Sequence, residues 1–185
     1  GRYTVEVVVN EWKHSTSLEV IKDPNSRGIE SDVRENFELV SQLQSDLNRA
    51  TEVINGAERI RSQLQAIQGL SGEDETLELR NRAKELEAQF TAVETKLLQL
   101  NMTGRGQDGL RWPSGSAQQI RSLLANVESS DFPPTEQHRA VGDELRVELD
   151  EAQAEYDVLV RTQLSSFNAM LVAQGLGGVI SEDQP

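Results

Sequence analysis

The chain has 185 residues, 31 acidic and 18 basic, for a net charge of −13. That length holds one ordinary domain, or one and a small piece of another, and the charge repels nucleic-acid phosphates and anionic lipid. With no cysteine, disulfides and thiolate metal sites are excluded, while 36 % hydrophobic and only 4 % aromatic residues are lean for a sandwich or an α/β enzyme but normal for a bundle of Leu, Ile, Val and Ala.

The opening Gly1-Arg2-Tyr3 reads as mid-domain sequence, so an upstream part is expected, and no signal peptide is recognisable. Tyr3, Val5, Val7 and Val9 alternate with Thr4, Glu6 and Val8, the period of a strand with one apolar face. Asn10-Glu11 supplies a turn, and Leu18 to Ile21 reads as the returning strand, ended by Lys22-Asp23-Pro24-Asn25. An isolated hairpin is marginal in water. This one is expected to pack on the rest of the chain or to close a larger sheet.

Ser31 is a candidate N-cap, with Asp32 and Glu35 suited to the positive end of a helix. The helix is predicted to run to about Gly69, ~38 residues and ~57 Å at 1.5 Å per residue. Its seam steps by four and three through Val33, Asn36, Val40, Leu43, Leu47, Ala50, Ile54, Ala57, Arg61 and Leu64. Gly56 is a weak point within it. Gly69 and Ser71-Gly72 stop it, and Glu73, Asp74 and Glu75 suit the opening of a second helix. That helix is predicted to reach about Met102 on a seam of Leu79, Ala83, Leu86, Phe90, Val93, Leu97 and Leu100.

Thr103 to Gly109 carries three glycines and is expected to be irregular. Ser114 or Ser116 caps a short third helix with a stripe of Ala117, Ile120, Leu124 and Val127. Ser129 to Pro134 breaks it, and Thr135 caps a fourth. The fourth has a long inward face: Val141, Leu145, Leu149, Ala152, Tyr156, Leu159, Gln163, Phe167 and Met170. Gly175 and Gly177-Gly178 end it. The predicted fold is mainly α: an antiparallel four-helix bundle with long helices over 26–180, preceded by a β-hairpin over 1–25 and followed by a disordered tail over 181–185. Short loops make up-down-up-down the simplest packing.

No constellation of comparable strength points to chemistry. The two histidines, His14 and His138, lack the Glu-x-x-His spacing of a di-metal bundle. His138 reads as a partly buried residue of a first helical turn, with no nucleophile arrangement around it. The pairs Asp74/Glu75, Glu85/Glu87 and Asp150/Glu151 are one or two positions apart on helices and cannot face each other across a cleft as a glycosidase needs. Gly104-x-Gly106-x-x-Gly109 has the glycine spacing of a dinucleotide fingerprint but follows a helix instead of a strand. No catalytic residue, cofactor site or metal site is therefore assigned. The residues favoured for partner contact are Trp12 in the hairpin turn and Arg105, Asp108, Arg111 and Trp112 in the glycine loop, because Trp and Arg dominate binding hot spots. The competing reading is that Trp112 plugs an open end of the bundle.

The order of pieces resembles one family. The strand Gly1-Arg2-Tyr3-Thr4-Val5-Glu6-Val7-Val8-Val9 and the segment Leu18-Glu19-Val20-Ile21-Lys22-Asp23-Pro24 look like the end of a small β-sandwich. Such a sandwich follows a BNR (Asp-box) β-propeller in large bacterial exported proteins of sortilin-like and sialidase-like type, and a helical tail comes after it. The likeness continues in Arg105-Gly106-Gln107-Asp108-Gly109-Leu110 with Trp112-Pro113, in Pro134-Thr135-Glu136-Gln137 and in Phe167-Asn168-Ala169-Met170-Leu171. It departs at Asn10-Glu11-Trp12-Lys13, where Asp-Gly is usual, and at Trp112, where Tyr is common. The resemblance implies a non-catalytic accessory or scaffolding module of an exported protein, partnered by the upstream propeller and sandwich or by another protein. Family members are often labelled glycosyl hydrolases; such chemistry would belong to the propeller. Two alternatives stand beside this: a piece of a carbohydrate-active or peptide-cleaving enzyme that borrows the glycine loop, and a structural subunit of a larger assembly.

Overall fold

The computed structural model describes residues 1–70, 74–104 and 106–181, the side chains of 74–76 excepted. It has the expected class: an N-terminal two-stranded antiparallel hairpin followed by long packed helices. The expectations about Ser71-Gly72, Glu73, Arg105 and the end of the tail lie outside the described residues, as do the side chains of Asp74 and Glu75.

Strands β1 (Arg2–Val9) and β2 (Trp12–Glu19) pair from Val9↔Trp12 to Arg2↔Glu19. The returning strand therefore begins at Trp12, well before Leu18, because a turn of only Asn10 and Glu11 starts pairing at once. Asn10 takes a left-handed φ of 55°, which Asn tolerates better than most residues. Facing pairs project to one side of a sheet. One face thus carries Tyr3, Val5, Val7, Val9, Trp12 and Leu18 with His14 and Thr16 among them, and the other Arg2, Thr4, Glu6, Val8, Lys13, Ser15, Ser17 and Glu19.

Helix α1 (Glu30–Gln68) starts before Ser31, with Ile29 at the cap position. The Asp32 carboxylate accepts from the Ile29 N–H at 3.0 Å, which closes the first turn one side chain later than a capping Ser31 would. Its buried seam is Asn36, Leu39, Leu43, Asp46, Ala50, Val53, Gly56, Ala57, Ile60 and Leu64. Half of the predicted seam belongs to it. Val40, Leu47 and Ile54 sit at its margin, and Val33 is exposed. A helix with neighbours on two sides buries a stripe wider than a coiled-coil seam.

Helix α2 (Asp74–Leu97) buries Leu79, Ala83, Leu86, Phe90, Val93 and Leu97 as predicted, but stops short of Met102 and leaves Leu100 exposed. The chain end of α2 is capped by the next long helix. A Cβ added to Gly115 would lie 2.3 Å from the Leu97 carbonyl oxygen, so only glycine permits this junction. A single turn, α3 (Asp108–Arg111), forms in the glycine loop. Helix α4 (Ser116–Glu128) follows, with Gly115, not Ser114 or Ser116, at its cap position and all four predicted stripe residues buried. Helix α5 (Glu136–Val158) is capped by Thr135, whose hydroxyl accepts from the His138 N–H at 3.1 Å. A π-helical segment, Leu159–Leu164, joins it to α6 (Ser165–Ala173).

Cross-links between helices give their directions. Arg61 pairs with Glu94, and Gln65 donates to Glu87 at 2.6 Å, so α2 runs antiparallel to α1. Glu35–Arg139, Asp46–Arg146 and Arg49–Asp150 advance together, so α5 runs parallel to α1. Ser116 Oγ reaches the Lys96 carbonyl at 3.4 Å, and Asn36 Nδ2 donates to Val127 and Ser130 carbonyls at 2.8 and 2.9 Å. Helix α4 therefore continues in the direction of α2 along the same side of α1. The bundle does not alternate up and down with each successive helix; α2 and α4 stand in series. The loop between them is long enough to hold α3 yet returns the chain to Leu97.

The core has two parts. One joins the first half of α1 to α4, the end of α2 and the start of α5. The other joins the second half of α1 to α2, α6 and the returning chain at Val179. Past Tyr156 the buried stripe moves by one residue, so that Leu164 and Leu171 are buried where Gln163 and Met170 were expected. The π turn is the cause: its wider turn takes up one extra residue before the core pattern resumes.

Candidate functional site

The contact residues predicted from sequence fall in two places. Trp12 stands at the free end of the hairpin, 57 % exposed, its ring stacked on His14 at 5.7 Å. Asp108, Arg111 and Trp112 come together in the glycine loop, where they line a hollow of about 450 Å³ with Thr103 and Gln107. Arg105 lies outside the described residues. The Asp108 carboxylate accepts from the Thr103 N–H at 2.6 Å and from its hydroxyl at 2.9 Å, and the Trp112 N–H donates to the Asp108 carbonyl at 2.9 Å. Asp108 thus ties the loop together. Trp112 keeps 41 % of its surface and plugs no end of the bundle, because α2 and α4 meet beside this loop partway along α1.

The other weighed residues have structural partners. His138 is half-buried in the first turn of α5, its Nδ1 accepting from Thr135 N–H at 3.4 Å. Glu85 pairs with Arg82 at 2.9 Å, Asp150 with Arg49 at 2.5 Å, and Glu87 accepts from Gln65 and Gln68. These side-chain bonds, that of Gln68 foremost, hold the Glu87 carboxyl below its usual range.

Sequence reasoning missed the buried carboxylates Asp46 and Glu94 and the bonding role of Asn36. Asp46 accepts from Arg146 Nε at 2.9 Å and Arg49 at 3.4 Å. Asn36, read as a seam position, ties the end of α4 to α1 through carbonyls of Val127, Ser130 and Phe132. Glu94 is fully buried beside Arg61 with its Oε1 unpartnered, and desolvation pushes its carboxyl above the usual range against the pull of Arg61. The available signal was a polar residue beside a strict seam: Arg61 lay on the predicted one, and Glu94 follows Val93.

The largest unmet surface is the hairpin. Its apolar face is open: Tyr3 59 %, Val5 40 %, Val7 48 %, Val9 56 %, Trp12 57 % and Leu18 51 % exposed. Neither strand packs on a helix. Those exposures amount to on the order of 600 Å² of contiguous surface, at the upper end of what a monomer leaves bare. The opposite face carries Lys13 paired with Glu6 at 3.7 Å and has Val8 as its one large apolar residue. The apolar strip continues past the hairpin into a groove of about 510 Å³ where Val20 and Ile21 meet Val33 and Phe37 of α1.

No family model, curated protein or solved structure matches the chain. Among the described residues no helix is long and apolar enough to cross a membrane, and no three acidic or histidine side chains converge as metal ligands. The geometry is that of an open apolar face on the hairpin and a loop tied by Asp108.

Proposed function

We propose that this chain is a non-catalytic docking module whose hairpin is completed by β-structure of the protein it belongs to. The observation that carries the reading is the bare apolar face of β1 and β2, backed by a polar one. A two-stranded sheet of this kind gains its stability only when a second layer covers it. The area fits: a specific interface takes ~800 Å² from each partner, and the hairpin with the adjoining Val33 and Phe37 approaches that. The cover is the inner face of an upstream β-sandwich, as the family resemblance implies, and the helices then serve as spacer and scaffold. An exported location follows from the same resemblance. Trp12 anchors the turn end of the face, and the Asp108 to Trp112 loop is a second contact.

The test supplies the upstream β-region in trans and measures its affinity for this chain by calorimetry. Val7→Lys, on the apolar face, should weaken binding at least tenfold, whereas Ser15→Lys, on the polar face, should leave it unchanged. In a Trp112→Phe background the Trp12 emission should shift to the blue on docking. Equal effects of the two lysines, or no association, would reject the reading.

A further inference from the structure

Four irregular features fall at one level of the bundle, each from a different part of the sequence. On α1, Gly56 admits the Tyr156 hydroxyl so closely that a Cβ there would lie 2.2 Å from it. On the side of α5, the π-helical segment Leu159–Leu164 interrupts the helix within one turn of Tyr156. On the third side, α2 ends at Leu97 and α4 takes over. Inside, buried Glu94 pairs with half-buried Arg61, with Arg61 Nε and Glu94 Oε1 unpartnered. At a rise of 1.5 Å per residue these features lie within ~12 Å of one another along the axis.

The hydrophobic core divides at the same place. Of the partly buried residues, Tyr156 and Leu159 pack against both halves. Here the buried residues Ala57, Ile60 and Phe90 fall to one part and Val53, Val93 and Leu97 to the other, and a glycine, a carboxylate, a guanidinium and a widened turn stand among them. A cleft of about 560 Å³ opens beside it between α1 and α5, reaching Val160 and Arg161. Cooperative units in proteins follow contiguous apolar packing, and regions of polar or sparse contact open first.

We infer that the bundle is two separately opening halves joined at this level. One half carries the hairpin, the first part of α1, α4 and most of α5. The other carries the rest of α1, most of α2, α6 and the returning tail. The joint lets the far half loosen while the hairpin half keeps its packing. The π turn is the device that lets the α5 side bend there without losing the inward register of Leu164, Phe167 and Leu171.

Hydrogen exchange of the whole chain, read by peptide-level mass spectrometry, tests this. Expected are two classes of protected core amides whose exchange rates differ at least tenfold, divided between Val53 and Ile60 on α1 and between Ala152 and Leu164 beyond. A single opening rate for all core amides overturns the proposal. Deleting exposed Thr162 gives a second test. It shortens the π turn by one residue, so Leu164, Phe167 and Leu171 fall on the unbroken stripe of Leu145, Leu149, Ala152 and Tyr156. The variant should fold and bring the two classes within threefold of each other. Two classes persisting in it, or a deletion that unfolds the chain, would overturn the assignment of the joint to the π turn.

Discussion

Glu94 is the one acidic side chain among the described residues that is fully buried, and its Oε1 has no protein partner. Its carboxyl is raised by burial, so the folded state holds the proton more tightly than the unfolded chain. Stability from this group is fully present below the ordinary Glu range and falls as pH rises through the raised value. Glu87 has the opposite sign: its lowered carboxyl contributes above the ordinary range and loses that contribution as pH falls. Glu94→Gln should therefore gain stability relative to the parent as pH climbs from about 4 toward neutrality, with urea midpoints at several pH values as the measure. Equal pH profiles for the two proteins would refute the burial argument. At Gly56 the expectation runs against helix propensity. Ala is better than Gly inside a helix by ~1 kcal/mol, but the new methyl meets Tyr156 at 2.2 Å. Overpacking costs typically ~1–3 kcal/mol, so Gly56→Ala should destabilise, and pairing it with Tyr156→Ala should cancel most of that loss in a double-mutant cycle.

At the scale of elements, α4 depends on a clamp outside its own sequence. Asn36 of α1 holds three carbonyl oxygens at and beyond its C-terminal end. Asn36→Leu would leave those carbonyls facing an apolar group, a loss of about 1–3 kcal/mol for buried acceptors. The change should appear as faster exchange confined to α4 and the first turns of α1. The period of the apolar residues made the seam of α2 up to Leu97, the four stripe residues of α4 and Leu145, Leu149 and Ala152 of α5 legible, whereas Val141, expected on the inward face, is exposed. The same period blurred α1, which touches a neighbour on either side and so buries Leu39, Val53 and Ile60 beyond the predicted seam. It misplaced Gln163 and Met170, since a π turn is a backbone event with no side-chain signature of its own. The hairpin's apolar alternation was legible in β1 alone; β2 mixes Trp12, His14 and Thr16 on the same face, and only the pairing register brings them together. The loop contacts were legible as composition, while the Asp108 ties that give the loop its form depend on geometry.

The molecule as a whole carries 31 acids against 18 bases, an excess that its ion pairs do not remove. Two effects of salt compete. Exposed pairs such as Lys96–Glu155 and Arg139–Glu35 weaken when screened, but each is worth only ~0–1 kcal/mol at the surface. Self-repulsion of a net charge of −13 acts over the entire surface and is relieved as the screening length falls from ~30 Å at 0.01 M to ~3 Å at 1 M. The second effect is collective and the first is a small sum, so added sodium chloride should stabilise the fold. For a chain of this size ~1 kcal/mol corresponds to ~2–4 °C, and the midpoint of helix loss by circular dichroism should rise by several degrees across that range. Chloride and sulfate at matched ionic strength should separate screening, which they share, from the stronger burial that sulfate adds. A midpoint that falls with sodium chloride would mean that the inter-helix pairs along α1, Arg49–Asp150 and Arg139–Glu35 foremost, contribute more than the self-repulsion of the net charge takes away.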